Sequence, residues 1–257
     1  MTNRINQLFE QKRQEILSVF FTAGHPKLED TVLIINELQS NGVSLIEIGI
    51  PFSDPMADGK VIQESSAVAL KNGMSLRKLL SQLRNVRNDV HIPLIMMGYL
   101  NPIMQFGFEN FCRECSSVGI DGMIIPDLPF HDYMESYREI SERYGLHIIM
   151  LITPETSEER IRLIDEHTSG FIYLVSSAAT TGTQLGFGED ALQYFRRIKA
   201  MNLRNPLMVG FGISNREMVQ SVCEHAAGAI VGSKFIKLLD SEGSVHDAVK
   251  ALVSDLR

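Results

Sequence analysis

The chain has 257 residues, 44% of them hydrophobic, with mean hydropathy +0.02, enough apolar material for one large α/β domain or two smaller ones. A net charge of −7 and a pI of about 5.5, with no Lys/Arg block, argue against nucleic acid or an anionic membrane as the main partner, so an anionic ligand must be held locally. The N-terminal residues Met1-Thr2-Asn3-Arg4-Ile5-Asn6 have no apolar leader-like stretch, and no run approaches the ~18 residues of a membrane span, so a cytoplasmic protein is expected.

In chain order, Ile5 to Gln14 reads as a short amphipathic helix ahead of the first strand, Ile16 to Thr22. A helix from Glu29 to Asn41 follows, then the strand Leu45 to Ile50, an acidic loop, and helical segments over Lys60 to Lys71 and Ser75 to Arg87. The alternation continues with strand Pro93 to Met97, loop Gly98 to Pro102, helix Phe108 to Val118, strand Gly122 to Ile125, loop Pro126 to Pro129 and helix Tyr133 to Tyr144. Strand His147 to Ile152 leads to a helix capped by Thr156 or Ser157 and reaching Glu166. Strand Phe171 to Val175, a polar Gly-rich loop from Ser176 to Gly188 and a helix from Asp190 to Met201 come next. Strands Pro206 to Val209 and Ala229 to Val231 flank a helix from Asn215 to Glu224, and Val245 to Leu256 closes the chain.

Eight strands alternating with helices predict a (β/α)8 TIM barrel with an extra N-terminal helix, as a single domain over residues 1–257. The rival is a doubly wound open sheet, but its Gly-x-Gly-x-x-Gly turn after the first strand is absent. Of the three cysteines, Cys112 and Cys115 form a CxxC in a helix-like segment without a second ligand pair, so reduced thiols rather than a zinc site are expected.

The chemistry is expected at the strand C-termini, where a barrel gathers its βα loops. In Leu45 to Ile50 the period of two puts Ile46, Ile48 and Ile50 on one face and Leu45, Glu47 and Gly49 on the other. A carboxylate inside a buried strand costs several kcal/mol unless paired, solvated or protonated, so Glu47 is either a structural ion pair or an acid–base group. Downstream, Asp54 and Asp58 lie among Pro51, Pro55 and Gly59 on a loop, where turn-forming and capping roles compete with function. Tyr173 is either a core tyrosine or a neighbour of the space that Glu47 faces. Asp127, after the fourth strand, can line the mouth or make a turn, while His25 and His131 read as loop residues.

Two glycine turns follow the last two strands: Gly210-Phe211-Gly212-Ile213-Ser214 and Gly232-Ser233-Lys234. In a barrel these bring backbone N–H groups and a helix N-terminus together, which suits a phosphate without a basic patch. The loop with Thr181, Gly182, Thr183 and Gly186 can close over that end as a lid. The combination suits proton transfer on a phosphorylated small molecule, with no metal or nucleotide motif.

The run Ile46-Glu47-Ile48-Gly49 with Pro51-Phe52-Ser53-Asp54-Pro55-Met56-Ala57-Asp58-Gly59 resembles the signature of the tryptophan synthase α-subunit family. The resemblance extends through Met97 to Pro102, Pro126 to Pro129, Phe171 to Ser176, Thr181-Gly182 and Gly210 to Ser214, nearly the whole chain. It implies a TIM-barrel lyase that cleaves indole-3-glycerol phosphate to indole and glyceraldehyde 3-phosphate in a retro-aldol reaction with no cofactor and no metal. By the same resemblance Glu47 shuttles protons between the glycerol hydroxyl and indole C3, and Asp58 meets the indole N–H. Tyr173 matches a tyrosine beside the glutamate, while Phe20, Tyr99 and Leu100 help line the indole pocket. Thr181, Gly182, Gly210, Phe211, Gly212, Ser214, Gly232 and Ser233 fall in the matching phosphate-binding and lid turns. The implied partner is a pyridoxal-phosphate β subunit in an α2β2 assembly, with Asp54 in the segment that communicates with it. The stretch Ser177-Ala178-Ala179-Thr180 lacks the basic residue that some members carry there. Two other readings remain open on the residues alone: another phosphate-binding barrel such as an indole-3-glycerol phosphate synthase, and a non-catalytic subunit that only activates a β partner.

Overall fold

The computed structural model describes residues 3–176 and 186–257. Its sheet is parallel throughout, built from β1 (Ile16–Thr22), β2 (Leu45–Gly49), β3 (Leu94–Met97), β4 (Gly122–Ile124), β5 (His147–Ile149), β6 (Leu151–Ile152), β7 (Ile172–Val175), β8 (Leu207–Gly210) and β9 (Gly228–Val231). The lateral order is β5-β4-β3-β2-β1-β9-β8-β7-β6. The two ends of that order, β5 and β6, are successive parts of one extended segment interrupted at Met150. Its first half pairs with β4 and its second with β7, and the Tyr173 N–H donates to the Met150 carbonyl at 3.0 Å. The nine ladder segments are therefore the eight strands of a (β/α)8 barrel, one of them kinked where it passes between its two neighbours.

Every residue of β1 to β4 is buried, because helices cover the outside and side chains fill the inside. The buried apolar residues form one continuous cluster running from Ile5 to Leu256. Register sets which groups share the interior: Phe20 lies beside Glu47, and Glu47 beside Ile95. At the next inward position of β2, a Cβ on Gly49 would come within 2.5 Å of the Phe20 ring, so glycine there makes room for that ring.

The N-terminal helix Arg4–Gln11 is shorter than its apolar spacing predicts and is capped by Asn3, whose side-chain oxygen accepts from the Ile5 N–H at 2.9 Å. The Asn3 amide also donates to the carbonyls of Asp121 and Gly145, which fastens the helix under the barrel with Ile5 fully buried. Asp121 accepts from Arg87 at 2.6 Å, Arg4 at 2.9 Å and the Leu94 N–H at 2.9 Å, pinning the start of β3. Burial lowers the Arg87 pKa to about 10, and Asp121 opposes that shift. This end of the barrel is closed by structure, and the strand C-termini form the other end.

Two helices differ from the sequence-based expectation. Leu100–Phe106 is helical where a loop is expected around Pro102; the proline occupies the first turn, where its missing N–H is an orphan in any case. Ser233–Ser241 is an additional helix between β9 and the closing helix Val245–Leu256, hidden in the sequence because Gly232-Ser233-Lys234 reads as a free turn. Its buried stripe of Phe235, Ile236 and Leu239 has helical spacing. Cys112 and Cys115 are fully buried in the helix Phe108–Ser117, and burial pushes the Cys112 thiol up to about 12 and Cys115 well above its usual range, as fits inert thiols.

Candidate active site

Glu47 is fully buried at the centre of β2 and points to the barrel interior. The Ser18 hydroxyl on β1 donates to Oε1 at 2.9 Å, while Oε2 has no hydrogen-bond partner among the described residues. Burial without a cation raises its pKa to about 8, and the Ser18 bond opposes that shift. At neutral pH the group is mostly a neutral acid, able to give a proton and take it back.

The loop after β2 brings a second carboxyl to the same space. Asp58 immediately precedes Gly59, which caps the helix Lys60–Lys71. The Tyr99 hydroxyl donates to Asp58 Oδ2 at 3.0 Å and accepts from the Ala57 N–H at 2.9 Å, so one phenol fixes both the side chain and the loop backbone. Gln63 adds a bond to the Asp58 carbonyl at 2.7 Å. Burial raises the Asp58 pKa and the Tyr99 bond opposes the rise. Two carboxyls thus share a cavity in unequal surroundings, the arrangement that separates acid from ion.

That cavity opens among the strand C-termini with a volume of about 610 Å³. Its walls carry Phe20, Glu47, Asp58, Ile62, Met97, Tyr173, Phe211, Gly212, Ile213, Ser214, Ile230, Gly232, Ser233, Lys234 and Lys237. Tyr173 is buried on β7, and burial with the nearby carboxyls raises its pKa well above the usual phenol value, so it stays a neutral hydroxyl.

On the opposite wall the backbone is shaped for an anion. Phe211 and Gly212 both adopt the left-handed conformation (φ 72° and 75°), a strained state for a phenylalanine. The Ser176 hydroxyl holds the turn by donating to the carbonyls of Gly210 (2.9 Å) and Phe211 (2.7 Å). Next to it, Gly232 caps the nine-residue helix Ser233–Ser241, whose first N–H groups and positive dipole end meet the cavity. Lys234 is tied to Asp255 at 2.5 Å, while Lys237, one turn on, is exposed at the cavity rim.

Of the residues singled out in the sequence, Glu47, Asp58, Phe20, Tyr173, Phe211, Gly212, Ser214, Gly232 and Ser233 line this one cavity. Tyr99 borders an adjoining crevice with Phe20 and Asp58. Gly210 lies behind Tyr173, and Leu100 opens the helix Leu100–Phe106 with its N–H on Asp127 at 2.8 Å; neither is on the cavity wall. Asp54 is exposed, bonded to the Ser53 hydroxyl. Thr181, Gly182, Thr183 and the stretch Ser177 to Thr180 lie outside the described residues. His25 lies in a loop, as expected, and is buried there with Nε2 3.0 Å from Asp240.

Sequence reasoning missed Lys237, the apolar walls Ile62, Met97 and Ile230, and Ser18. The i, i+3 pair of Lys234 and Lys237 becomes visible only once the helix Ser233–Ser241 is recognised. A groove of about 690 Å³ at the opposite end of the barrel is lined by Arg13, Lys199 and Arg204, of which Arg204 and Lys199 donate to backbone carbonyls of Asp165, Glu166, Thr168 and Glu224.

Known proteins share this architecture and sequence. The family model described as tryptophan synthase alpha chain matches residues 6–255. The tryptophan synthase alpha chain of Bacteroides thetaiotaomicron is 63% identical over 255 residues, covering 99% of this chain and 100% of that one. The one from Bacteroides fragilis is 62% identical over 250 residues, covering 97% and 95%. Among solved structures, the tryptophan synthase alpha chain from Legionella pneumophila subsp. pneumophila is 34% identical with a TM-score of 0.88, covering 100% of this chain and 96% of that chain. The tryptophan synthase A-subunit from Pyrococcus furiosus is 38% identical with a TM-score of 0.87, covering 95% and 98%. With a buried acid and two glycine turns lining one cavity, and sequence identity of this extent over the full length, the chain belongs to the tryptophan synthase alpha chain family.

Proposed function

We propose that this chain cleaves indole-3-glycerol phosphate to indole and glyceraldehyde 3-phosphate, the lyase reaction of tryptophan biosynthesis, with Glu47 and Asp58 as its acids. The observation that carries this reading is the buried Glu47 carboxyl, its pKa raised to about 8, in one cavity with Asp58 and with the glycine turns at 212 and 232. A phosphate in those turns would be met by backbone N–H groups, the helix dipole and Lys237. The indole ring would lie between Phe20, Ile62 and Met97.

The reaction follows from the protonation states. Neutral Glu47 gives its proton to indole C3, and the ring nitrogen gains positive charge. The Asp58 carboxylate accepts a hydrogen bond from that N–H and balances the cation. Glu47, now ionised, takes the proton of the glycerol hydroxyl as the carbon–carbon bond breaks. The bond's electrons return to the indole ring, the hydroxyl becomes the aldehyde, and Glu47 is again the neutral acid.

The partner in this proposal is a tryptophan synthase β subunit, in an α2β2 assembly that receives the indole. Support comes from the loop after β2, which carries Asp58 on its cavity side and the exposed Asp54 and Met56 on its outer side. A single domain over residues 1–257 is supported by the continuous core. A cytoplasmic location remains part of the proposal; among the described residues no helix is long and apolar enough to cross a membrane.

The test is indole release from indole-3-glycerol phosphate by the full chain and by Glu47→Gln. Loss of roughly a thousandfold or more in kcat, with an unchanged circular dichroism spectrum, is expected. Wild-type cleavage by the folded variant would sink the assignment of Glu47. If the folded wild-type chain stimulates a β subunit but never cleaves substrate, the non-catalytic reading replaces this one.

A further inference from the structure

We infer that Ser18 is a positioning residue for the proton transfer: it ties Oε1 of Glu47 to the barrel wall and leaves Oε2 as the atom that carries the transferred proton. The inference deepens the proposed lyase function and rests on that reading for its kinetic consequences.

The geometry is specific. Ser18 is fully buried and does not reach the cavity surface, so it acts on substrate only through Glu47. It is held by pairing on both sides of β1, in register with Leu45 of β2 and Ile230 of β9. Its hydroxyl has one hydrogen, and Glu47 Oε1, 2.9 Å away, is its sole acceptor among the described residues. A carboxyl proton on Oε1 would point at Ser18 and leave the serine hydrogen buried without an acceptor, which costs more than carrying the proton on Oε2. Oε2 is the oxygen with no hydrogen-bond partner among the described residues.

Among the described residues no other group near the carboxyl performs this task. Among the described residues, the titratable groups that share its cavity are Asp58 from the loop after β2, the Tyr173 phenol from β7, and Lys234 and Lys237 from the helix Ser233–Ser241. The strands β1, β3 and β9 present Phe20, Met97 and Ile230 there. Among the described residues only Ser18 makes a hydrogen bond to the Glu47 carboxyl. The bond is stronger to the ionised carboxylate than to the acid, so it also keeps the group's proton affinity within the range where proton return is possible.

The experiment compares the full-length wild type, Ser18→Ala and Ser18→Thr, with kcat and KM measured across pH and the Glu47 carboxyl followed by infrared titration, Glu47→Gln identifying its band. In Ser18→Ala the carboxyl should titrate about one pH unit higher, and the alkaline fall of kcat should move up with it. At neutral pH kcat should drop on the order of tenfold with KM within about twofold of wild type. Ser18→Thr, which keeps a hydroxyl on a strand-compatible side chain, should restore both properties. A drop in kcat with an unmoved carboxyl band and alkaline limb would reduce Ser18 to packing and overturn the inference, as would an Ser18→Ala variant that matches wild type. The infrared titration does not need turnover. A wild type that never cleaves substrate would therefore refute the lyase reading, while the Ser18–Glu47 coupling would still be decided by the band shift.

Discussion

The Tyr173 hydroxyl occupies the place that a side chain on residue 210 would need. A Cβ built on Gly210 overlaps the phenol of Tyr173, which is buried on the cavity wall. The φ of Gly210 is outside the left-handed region, so glycine is required here by close approach rather than by backbone conformation. β8 thus gives up a side chain so that β7 can put a phenol into the cavity.

Replacing Gly210 with alanine forces the phenol toward the centre of the cavity. Overpacking of this kind typically costs about 1–3 kcal/mol, and a urea titration of Gly210→Ala should show a loss in that range. The double variant Gly210→Ala/Tyr173→Phe removes the clashing oxygen and should recover part of the loss. A single variant as stable as wild type would show that Tyr173 has another place to go.

The buried acid ties stability to pH. The folded-state pKa of Glu47, about 8, lies above the ordinary value of 4.5 that holds in the unfolded chain, so the native state holds a proton that the unfolded state has already released. The associated stability is complete below about pH 4.5 and is lost as pH rises toward about 8. Glu47→Gln removes this dependence and leaves other groups, including Asp58, as they were. The stability of wild type relative to Glu47→Gln should therefore fall by several kcal/mol between about pH 4.5 and pH 8. Parallel denaturation curves for the two proteins across that window would contradict a neutral buried Glu47.

Much of the site was legible because its residues break local rules. An acid inside a strand and glycines directly after strands cannot be explained by the barrel alone, so Glu47, Gly212 and Gly232 stood out without coordinates. Ser18 did not, because a serine in an apolar strand is ordinary until the parallel register sets β1 against β2 and brings its hydroxyl to the carboxyl. The helix Ser233–Ser241 was hidden by its opening residues: the glycine and serine at its start also mimic a loop. The family resemblance assigns Leu100 to the indole pocket, but Leu100 opens the helix Leu100–Phe106 and lines neither the cavity nor the crevice that Tyr99 borders. The break at Met150 has no sequence signature, since it arises from closing the barrel and not from a glycine or proline.

Lys237 should report on the phosphate. It is exposed at the rim, beyond the backbone cradle, so its contribution is a screened charge rather than a buried bond. Lys237→Ala should raise KM roughly fivefold at low salt with kcat nearly unchanged, and the gap should narrow as ionic strength rises. Lys234→Ala should do less, because that ammonium is already neutralised by Asp255. Equal effects of the two substitutions, or an effect of Lys237→Ala that is independent of salt, would remove Lys237 from phosphate binding.

The outer side of the loop after β2 offers a handle on partner control. Met56 is 92% exposed, a large flexible apolar side chain with little intramolecular reason to be there, two residues from the acid on the cavity wall. A partner that covers Met56 would restrain the backbone between Asp54 and Asp58, which is otherwise held by Tyr99 and Gln63. Met56→Asp adds a charge to an already exposed position, so the isolated chain should fold and turn over as wild type does. The same variant should lose most of the rise in turnover that a β subunit gives, together with at least roughly tenfold in affinity, measured by titrating the β subunit into the cleavage assay and by calorimetry. Asp54→Asn, which leaves the apolar contact in place, should keep the affinity and lose the stimulation if Asp54 transmits the signal. Undiminished stimulation of Met56→Asp would place the partner on another face of the barrel.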